Sequence, residues 1–114
     1  MKKVLWIEKN WGGSLNDISA EDFVGTLGQI MKTQHSGAAF WMGCSDGEYV
    51  LKIEKNLNLT FICGKNLDLE LTVKTACWED IHSLGILFIR GEFKLLEDLM
   101  EITKKTPPLP LTLN

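Results

Sequence analysis

EYVLKIEKNLNLTFICGKNLDLELTVKT, residues 48–75, alternates apolar and polar side chains along most of its length. A period of two is typical of antiparallel sheet with one buried face. The odd-numbered apolar residues are Tyr49, Leu51, Ile53, Leu57, Leu59, Phe61, Cys63, Leu67, Leu69, Leu71 and Val73. We therefore expect a meander in which these side chains share one face.

The turns of this meander must keep odd residues opposite odd residues. Loops with an odd number of residues do so, and pairing Ile53 with Leu57 and Cys63 with Leu67 leaves three residues in each loop. Asn56 and Asn66 then stand third, where a three-residue hairpin needs a left-handed residue and Asn tolerates that conformation. Both turns are therefore predicted to be three-residue hairpin loops.

The preceding segment, residues 38–44 (AAFWMGC), is predicted to be another strand, because it is apolar on both faces and short. Pairing Cys44 with Glu48 gives a third three-residue loop, with Gly47 in the left-handed position. This register places Trp41 on the odd-numbered face. It places Phe40, Met42, Val50 and Ile62 on the opposite, mixed face.

The outer segments supply one more strand and a helix before the meander. Residues 3–8 (KVLWIE) read as a strand, and the glycine-containing stretch that follows reads as a loop carrying Trp11. Ser19 is a suitable N-cap for a helix that runs to about residue 35. The apolar face of this helix comprises Phe23, Leu27, Ile30 and Met31.

After the meander, residues 76–85 are ambiguous between a helical turn and a loop, and residues 86–90 (ILFIR) read as a buried strand. An amphipathic helix follows Glu92 and is terminated by Pro107 and Pro108. The predicted fold class is α+β: an antiparallel meander of five to six strands with two amphipathic helices, in the order β-α-β-β-β-β-β-α. Residues 1–114 form one domain with a proline-rich tail at 107–114.

Composition limits the functional class. The chain has 114 residues, 45% of them hydrophobic and 24% charged, as in ordinary soluble domains. No apolar run approaches the width of a bilayer, and the N-terminal run is too short for a signal peptide. Three cysteines without metal-ligand spacing favour a reduced, cytoplasmic protein. A net charge of −3 argues against nucleic acid as partner and suits a basic protein.

Few residues are candidates for catalysis or metal binding. Cys77 and His82, with Glu79 and Asp80 between them, include the residue types of a thiol nucleophile, a base and an orienting carboxylate. Proximity in sequence is not geometry, so we expect a packed cysteine and tryptophan beside a polar turn. No CxxC or HxxxH pair anchors a metal. We expect no catalytic, metal or cofactor site.

Aromatic and acidic residues are better candidates for partner binding. Trp6 and Trp41 lie in predicted strands and are expected in the core, whereas Trp11 and Trp78 lie in loops, where they either pack on the domain or anchor an interface. Acidic groups near Trp78 and along the last helix can steer a basic partner. The candidate partner-binding residues are Trp11, Trp78, Glu79, Asp80, Glu97, Asp98 and Glu101.

The meander between two helices and the acid-aromatic stretch at residues 77–82 (CWEDIH) resemble the immunity proteins of bacterial contact-dependent inhibition and related polymorphic toxin systems. The resemblance lies in overall character, and no motif transfers individual residues. It implies a small, acidic, cytoplasmic protein that binds and neutralises a cognate toxin domain, often a nuclease.

Three functional hypotheses follow. The first is a non-enzymatic binding protein, most specifically a toxin antidote. The second is a small-ligand-binding domain or enzyme with a pocket between the sheet and its helices. The third is a structural subunit, such as a homodimer, whose apolar edge or tail drives assembly.

Overall fold

A computed structural model describes residues 4–105 of the chain. One six-stranded antiparallel sheet, in the order β2-β1-β3-β4-β5-β6, and three helices make up this part. This confirms the predicted α+β class and the antiparallel meander. The predicted tail, residues 107–114, lies outside the described residues.

The strands and helices follow one another along the chain as two strands, a helix, four strands and two helices. Their bounds are β1 Leu5–Lys9, β2 Ser14–Asn16, α1 Ala20–Lys32, β3 Ala39–Cys44, β4 Tyr49–Glu54, β5 Asn58–Cys63, β6 Leu69–Lys74, α2 Trp78–Ile89 and α3 Phe93–Lys105. Strand β2 lies at the edge of the sheet, in the stretch that was predicted to be a loop. It has only three residues, too few to show an alternation of apolar and polar side chains.

Strands β4, β5 and β6 keep the predicted parity. Leu59 lies opposite both Ile53 and Val73, so odd residues face odd residues across all three strands. The predicted pairs are nevertheless shifted by two residues. The first loop, residues 55–57, keeps the predicted three residues, whereas the second, residues 64–68, has five. The left-handed residues other than glycine in these turns are Leu57 and Leu67 rather than the asparagines. In the first of these turns Asn56 Oδ1 accepts a hydrogen bond from the backbone N–H of residue 58, which is the usual way an asparagine side chain supports a turn.

The turn between β3 and β4 corrects a second prediction. Gly43 lies opposite Val50, so residues 45–48 form a loop of four residues rather than three. Gly47 is left-handed there, as expected, with φ of 76°. An even loop reverses the parity: Phe40 and Met42 join the odd-numbered face of the meander, and Trp41 points to the other side.

The three helices cover the face that carries Phe40, Leu51 and Phe61. Phe23 of α1 packs against Phe40, and Phe88 of α2 meets Phe61 edge-on. Helix α2 lies between the other two, contacting both, and α3 packs along β6. The core is therefore a single layer between one face of the sheet and the helices.

Helix α1 begins as predicted, at Ser19. The backbone N–H of Ser19 donates to Asp22 Oδ2 at 2.9 Å, and the backbone N–H of Asp22 donates back to Ser19 Oγ at 3.4 Å, forming a capping box. The helix ends at Lys32, a few residues earlier than expected. Helix α3 was also predicted, and buries Leu96 and Met100.

The predicted strand at residues 86–90 is wrong, because these residues form the last turn and the C-cap of α2. The helix ends in a Schellman motif: the N–H of Gly91 donates to the carbonyl of Phe88, and that of Glu92 donates to Leu87. Gly91 has φ of 76°, as this motif requires. Helix α2 is apolar around much of its circumference, which explains why its C-terminal run resembles a buried strand.

Candidate functional site

The face of the sheet opposite the helices carries the most distinctive surface among the described residues. We call it the open face. Its apolar residues are Trp6, Trp41, Val50 and Ile62, which lie next to one another on β1, β3, β4 and β5. Val50 is only 7% exposed and yet lies outside the core cluster beneath the helices. The open face therefore builds a small apolar cluster of its own.

Glycine determines how Trp6 lies on this face. Trp6 is paired with Gly43 on β3, and a Cβ built on Gly43 would come 2.1 Å from Cζ2 of the indole. The ring therefore crosses the neighbouring strand directly over its backbone. Beside it, Lys52 Nζ lies 5.6 Å from the ring centroid of Trp41, within the range of a cation–π contact.

A shallow groove of about 470 Å³ runs over these residues. Its lining is mainly apolar, and Leu67 adds to it from the β5–β6 turn. Glu8 on β1 and Glu70 on β6 contribute the acidic groups of the lining, on either side of the apolar residues in the strand order. The groove can thus receive an apolar group and attract positive charge around it.

The acidic lining continues around the edge of the sheet. Glu70 also lines a second groove, between β6 and α3, together with Glu97, Glu101 and one cation, Lys104. Leu69, 61% exposed, lies in the same groove. Burial, reinforced by the negative charges of Glu97 and Asp68, raises the pKa of the Cys63 thiol. We call Asp68, Glu70, Glu97 and Glu101 the acidic edge.

The seven partner-binding residues predicted from sequence lie on separate parts of the surface. Glu97 and Glu101 belong to the acidic edge. Trp11 follows β1 and packs edge-on against Phe40, with 6.2 Å between the two ring centroids, on the helical side of the sheet. Trp78 begins α2, after β6, and packs against the core. These two tryptophans thus follow strands separated by three others in the sheet.

The remaining acidic candidates have different surroundings. Glu79 and Asp80 are exposed in the first turn of α2, and Asp80 lines a crevice with Leu99 and Ile102 of α3. Asp98 forms an ion pair with Lys94 at 3.1 Å, which offsets its charge locally. An exposed pair of this kind stabilises a helix only weakly.

Cys77 and His82, the residues considered for chemistry, have different surroundings. Cys77 is the N-cap of α2 without a side-chain capping bond, whereas the ring of His82 stacks on Phe23 at a centroid distance of 6.1 Å. Within residues 4–105, no group of three or more His, Cys, Asp and Glu side chains is placed to hold a metal ion.

Sequence reasoning missed Trp6 and Trp41 as surface residues. Both occupy strands, and an aromatic residue in a strand is more often in the core. A signal was present, because Gly43 in an otherwise apolar strand indicates a close approach by another group.

No helix among the described residues is both long and apolar enough to cross a bilayer. Comparison of the chain with protein-family models, with curated proteins and with solved structures found no match.

Proposed function

We propose that this protein is a non-enzymatic binding protein whose open face docks a basic partner domain. The observation that carries the proposal is the pair Trp6 and Trp41, half-buried on a sheet face that the described helices leave uncovered. Glu8 and Glu70 line the same groove. An apolar centre with a charged rim is the usual anatomy of a protein interface.

Tryptophan suits the centre of such an interface. Its large, rigid ring supplies contact area at a low cost in side-chain entropy, and binding hot spots are enriched in it. Trp6 is held over Gly43 before any partner arrives. Less ordering is then needed on association, which favours affinity.

The acidic edge adds electrostatic attraction. Glu70 lies where the open face meets the groove beside Glu97 and Glu101, so a partner seated on the tryptophans has these carboxylates within reach. Exposed charges of this kind mainly accelerate association and are screened over about 8 Å at physiological ionic strength.

The partner class we infer is a cognate toxin domain, which this protein neutralises in the cytoplasm. This step rests on the resemblance of the acidic α+β chain to immunity proteins of polymorphic toxin systems. Nucleases are common among such toxins, and a nuclease that binds phosphates carries the basic surface that the acidic edge would attract.

The test pairs this protein with the polypeptide encoded by the neighbouring reading frame. Cells that express this polypeptide should stop growing, and co-expression of the protein should restore growth. The purified pair should form a complex whose association slows as salt increases. Absence of both protection and complex formation would reject the antidote function.

Tryptophan variants then locate the interface. Trp41→Ala should weaken the complex by about 2 kcal/mol or more if Trp41 is a hot spot, mainly through faster dissociation. Trp11→Ala is the matched control, a half-buried tryptophan on the helical side of the sheet. A complex weakened by Trp11→Ala or Trp78→Ala and indifferent to Trp41→Ala would place the interface at the sequence-predicted residues instead.

A further inference from the structure

A cavity separate from the two grooves described above lies between the sheet and the helices, on the side away from the open face. Its volume is about 590 Å³, within the range of small-molecule sites. It lies where β1 begins, β3 ends and α2 turns into α3. Its lining residues include Leu5, Asp17, Ile18, Phe88, Arg90 and Phe93.

The floor of this cavity is apolar and belongs to the core. Leu5, Ile18 and Phe88 are buried, and Phe93 stands beside them, in edge contact with Phe88 at a centroid distance of 5.3 Å. An apolar group that entered the cavity would therefore leave water for a surface of aliphatic and aromatic carbon, which is favourable.

Two opposite charges complete the lining. Asp17 and Arg90 are both exposed. Among the described residues neither side chain has an ion-pair partner within 4 Å or a side-chain hydrogen bond. Two residues of opposite charge thus line the same cavity without forming an ion pair with each other.

The backbone holds both charged residues in position. Asp17 has φ of 51°, a left-handed conformation in which Asp and Asn are enriched, and it lies two residues before the N-cap of α1. Arg90 is the C-cap of α2, where its N–H donates to the carbonyl of Ile86 at 3.0 Å. Arg90 is therefore fixed at the end of α2, and Asp17 lies just before the start of α1.

We propose that this cavity binds a small zwitterion with an apolar side chain, such as a free apolar amino acid. Arg90 receives the carboxylate, because its planar guanidinium matches that group with two parallel hydrogen bonds. Asp17 receives the ammonium group, and the apolar side chain lies on Phe88 and Phe93. The site is separate from the open face and from the acidic edge.

Ligand analogues test this recognition without altering the protein. Calorimetry and amide chemical shifts would be measured with L-leucine and L-phenylalanine, then with N-acetyl-leucine, leucine amide and isocaproic acid. The free amino acids should bind saturably and shift the amide signals of Ile18 and Gly91. Each analogue lacks one charged group and should bind about tenfold more weakly or worse, as expected for loss of a hydrogen bond to a charged partner.

Variants test the assigned residues. Arg90→Gln should weaken binding of the amino acid and leave the already weak binding of leucine amide unchanged. Asp17→Asn keeps a residue that accepts the left-handed backbone. It should weaken binding of the amino acid and leave the already weak binding of N-acetyl-leucine unchanged. Glu92→Gln, a neighbouring exposed carboxylate outside the cavity lining, and Trp41→Ala, on the open face, are controls that should bind normally. No saturable binding, or equal binding of all analogues, would overturn the proposal.

Discussion

Trp6 and Gly43 are partners across two neighbouring strands, and the indole of Trp6 occupies the space where any other residue at position 43 would place its Cβ. The nearest ring atom is 2.1 Å from that position, far inside van der Waals contact. The indole can therefore occupy this position on the open face only because residue 43 is a glycine.

Gly43→Ala should displace Trp6 without unfolding the protein. The added methyl group overlaps the ring, but Trp6 is half-exposed and can move outward, so we expect a loss of stability of about 1 to 3 kcal/mol. Denaturant unfolding measures this loss, and a shift in tryptophan fluorescence reports the moved ring.

Gly28→Ala in α1 is the control for this substitution. A Cβ at Gly28 would meet nothing within 4 Å. Alanine is favoured over glycine in a helix by about 1 kcal/mol, so this variant should be more stable than the parent chain. Equal effects of the two substitutions would mean that Trp6 does not lie over Gly43.

The position of Trp41 shows where sequence reasoning succeeded and where it did not. Alternation along residues 48–75 predicted which side chains share a face within β4, β5 and β6, because a shift of the pairing by two residues preserves parity. Leu67, in the β5–β6 turn, was predicted on the odd-numbered face and lines the open-face groove instead. The β3–β4 turn contains four residues rather than three. AAFWMGC is apolar on both faces, so its hydrophobic pattern could not reveal the extra turn residue, and Trp41 was assigned to the wrong side. Gly43 was the one signal in this segment that a large group crosses the strand.

The helices show the same contrast. Ser19 and Asp22 lie three residues apart and predicted the start of α1, because capping is a local interaction. The end of α2 could not be read in this way, since residues 86–89 are all apolar in sequence and so show no amphipathic period, although only Phe88 among them is buried. Only Gly91 indicated a C-cap, and a glycine is equally compatible with the end of a strand.

Leu59→Ala and Thr60→Ala test the register of the meander. Leu59 is fully buried beneath the helices, so its truncation should cost about 2 to 5 kcal/mol. Thr60 lies on the open face, where its hydroxyl hydrogen-bonds that of Thr72 across the strands at 2.9 Å. Loss of this bond should cost about 1 kcal/mol. Similar losses from both substitutions, measured by denaturant unfolding, would contradict the one-sided core.

Gly85→Ala should be more harmful than Gly43→Ala. A Cβ at Gly85 would lie 2.1 Å from Cζ of Phe23, which is fully buried between α1, α2 and the sheet and has no space into which to move. We expect a loss of about 3 kcal/mol, the upper part of the range for overpacked cores.

A double-mutant cycle identifies the cause of that loss. Phe23→Leu removes the ring atoms that meet the new methyl group and is itself destabilising, because it opens a cavity. Combined with Gly85→Ala, it should cost less than the sum of the two single losses, since each change relieves the defect of the other. Additive losses would show that Gly85 matters for some reason other than contact with Phe23.

The reactivity of the Cys63 thiol reports the electrostatic effect of the acidic edge, because burial and nearby carboxylates raise its pKa. Burial and the carboxylates of Glu97 and Asp68 raise the pKa of its thiol, and only the thiolate reacts with alkylating agents. Alkylation at Cys63, followed by peptide mass analysis, should therefore be slow at neutral pH and should accelerate only above the ordinary pKa of a thiol. Glu97→Gln removes one negative charge, so the pKa should fall and the rate at a fixed pH should rise.

Two comparisons make this last prediction specific. Glu79→Gln is the control, because Glu79 lies on α2 and is not among the charges that raise the pKa of Cys63. Added salt should lower the pKa in the parent chain and have less effect in Glu97→Gln, since salt screens the interaction that the substitution removes. A rate that responds to neither Glu97→Gln nor salt would mean that burial alone controls the thiol, and that the acidic edge exerts too little field at Cys63 to steer a partner from that side.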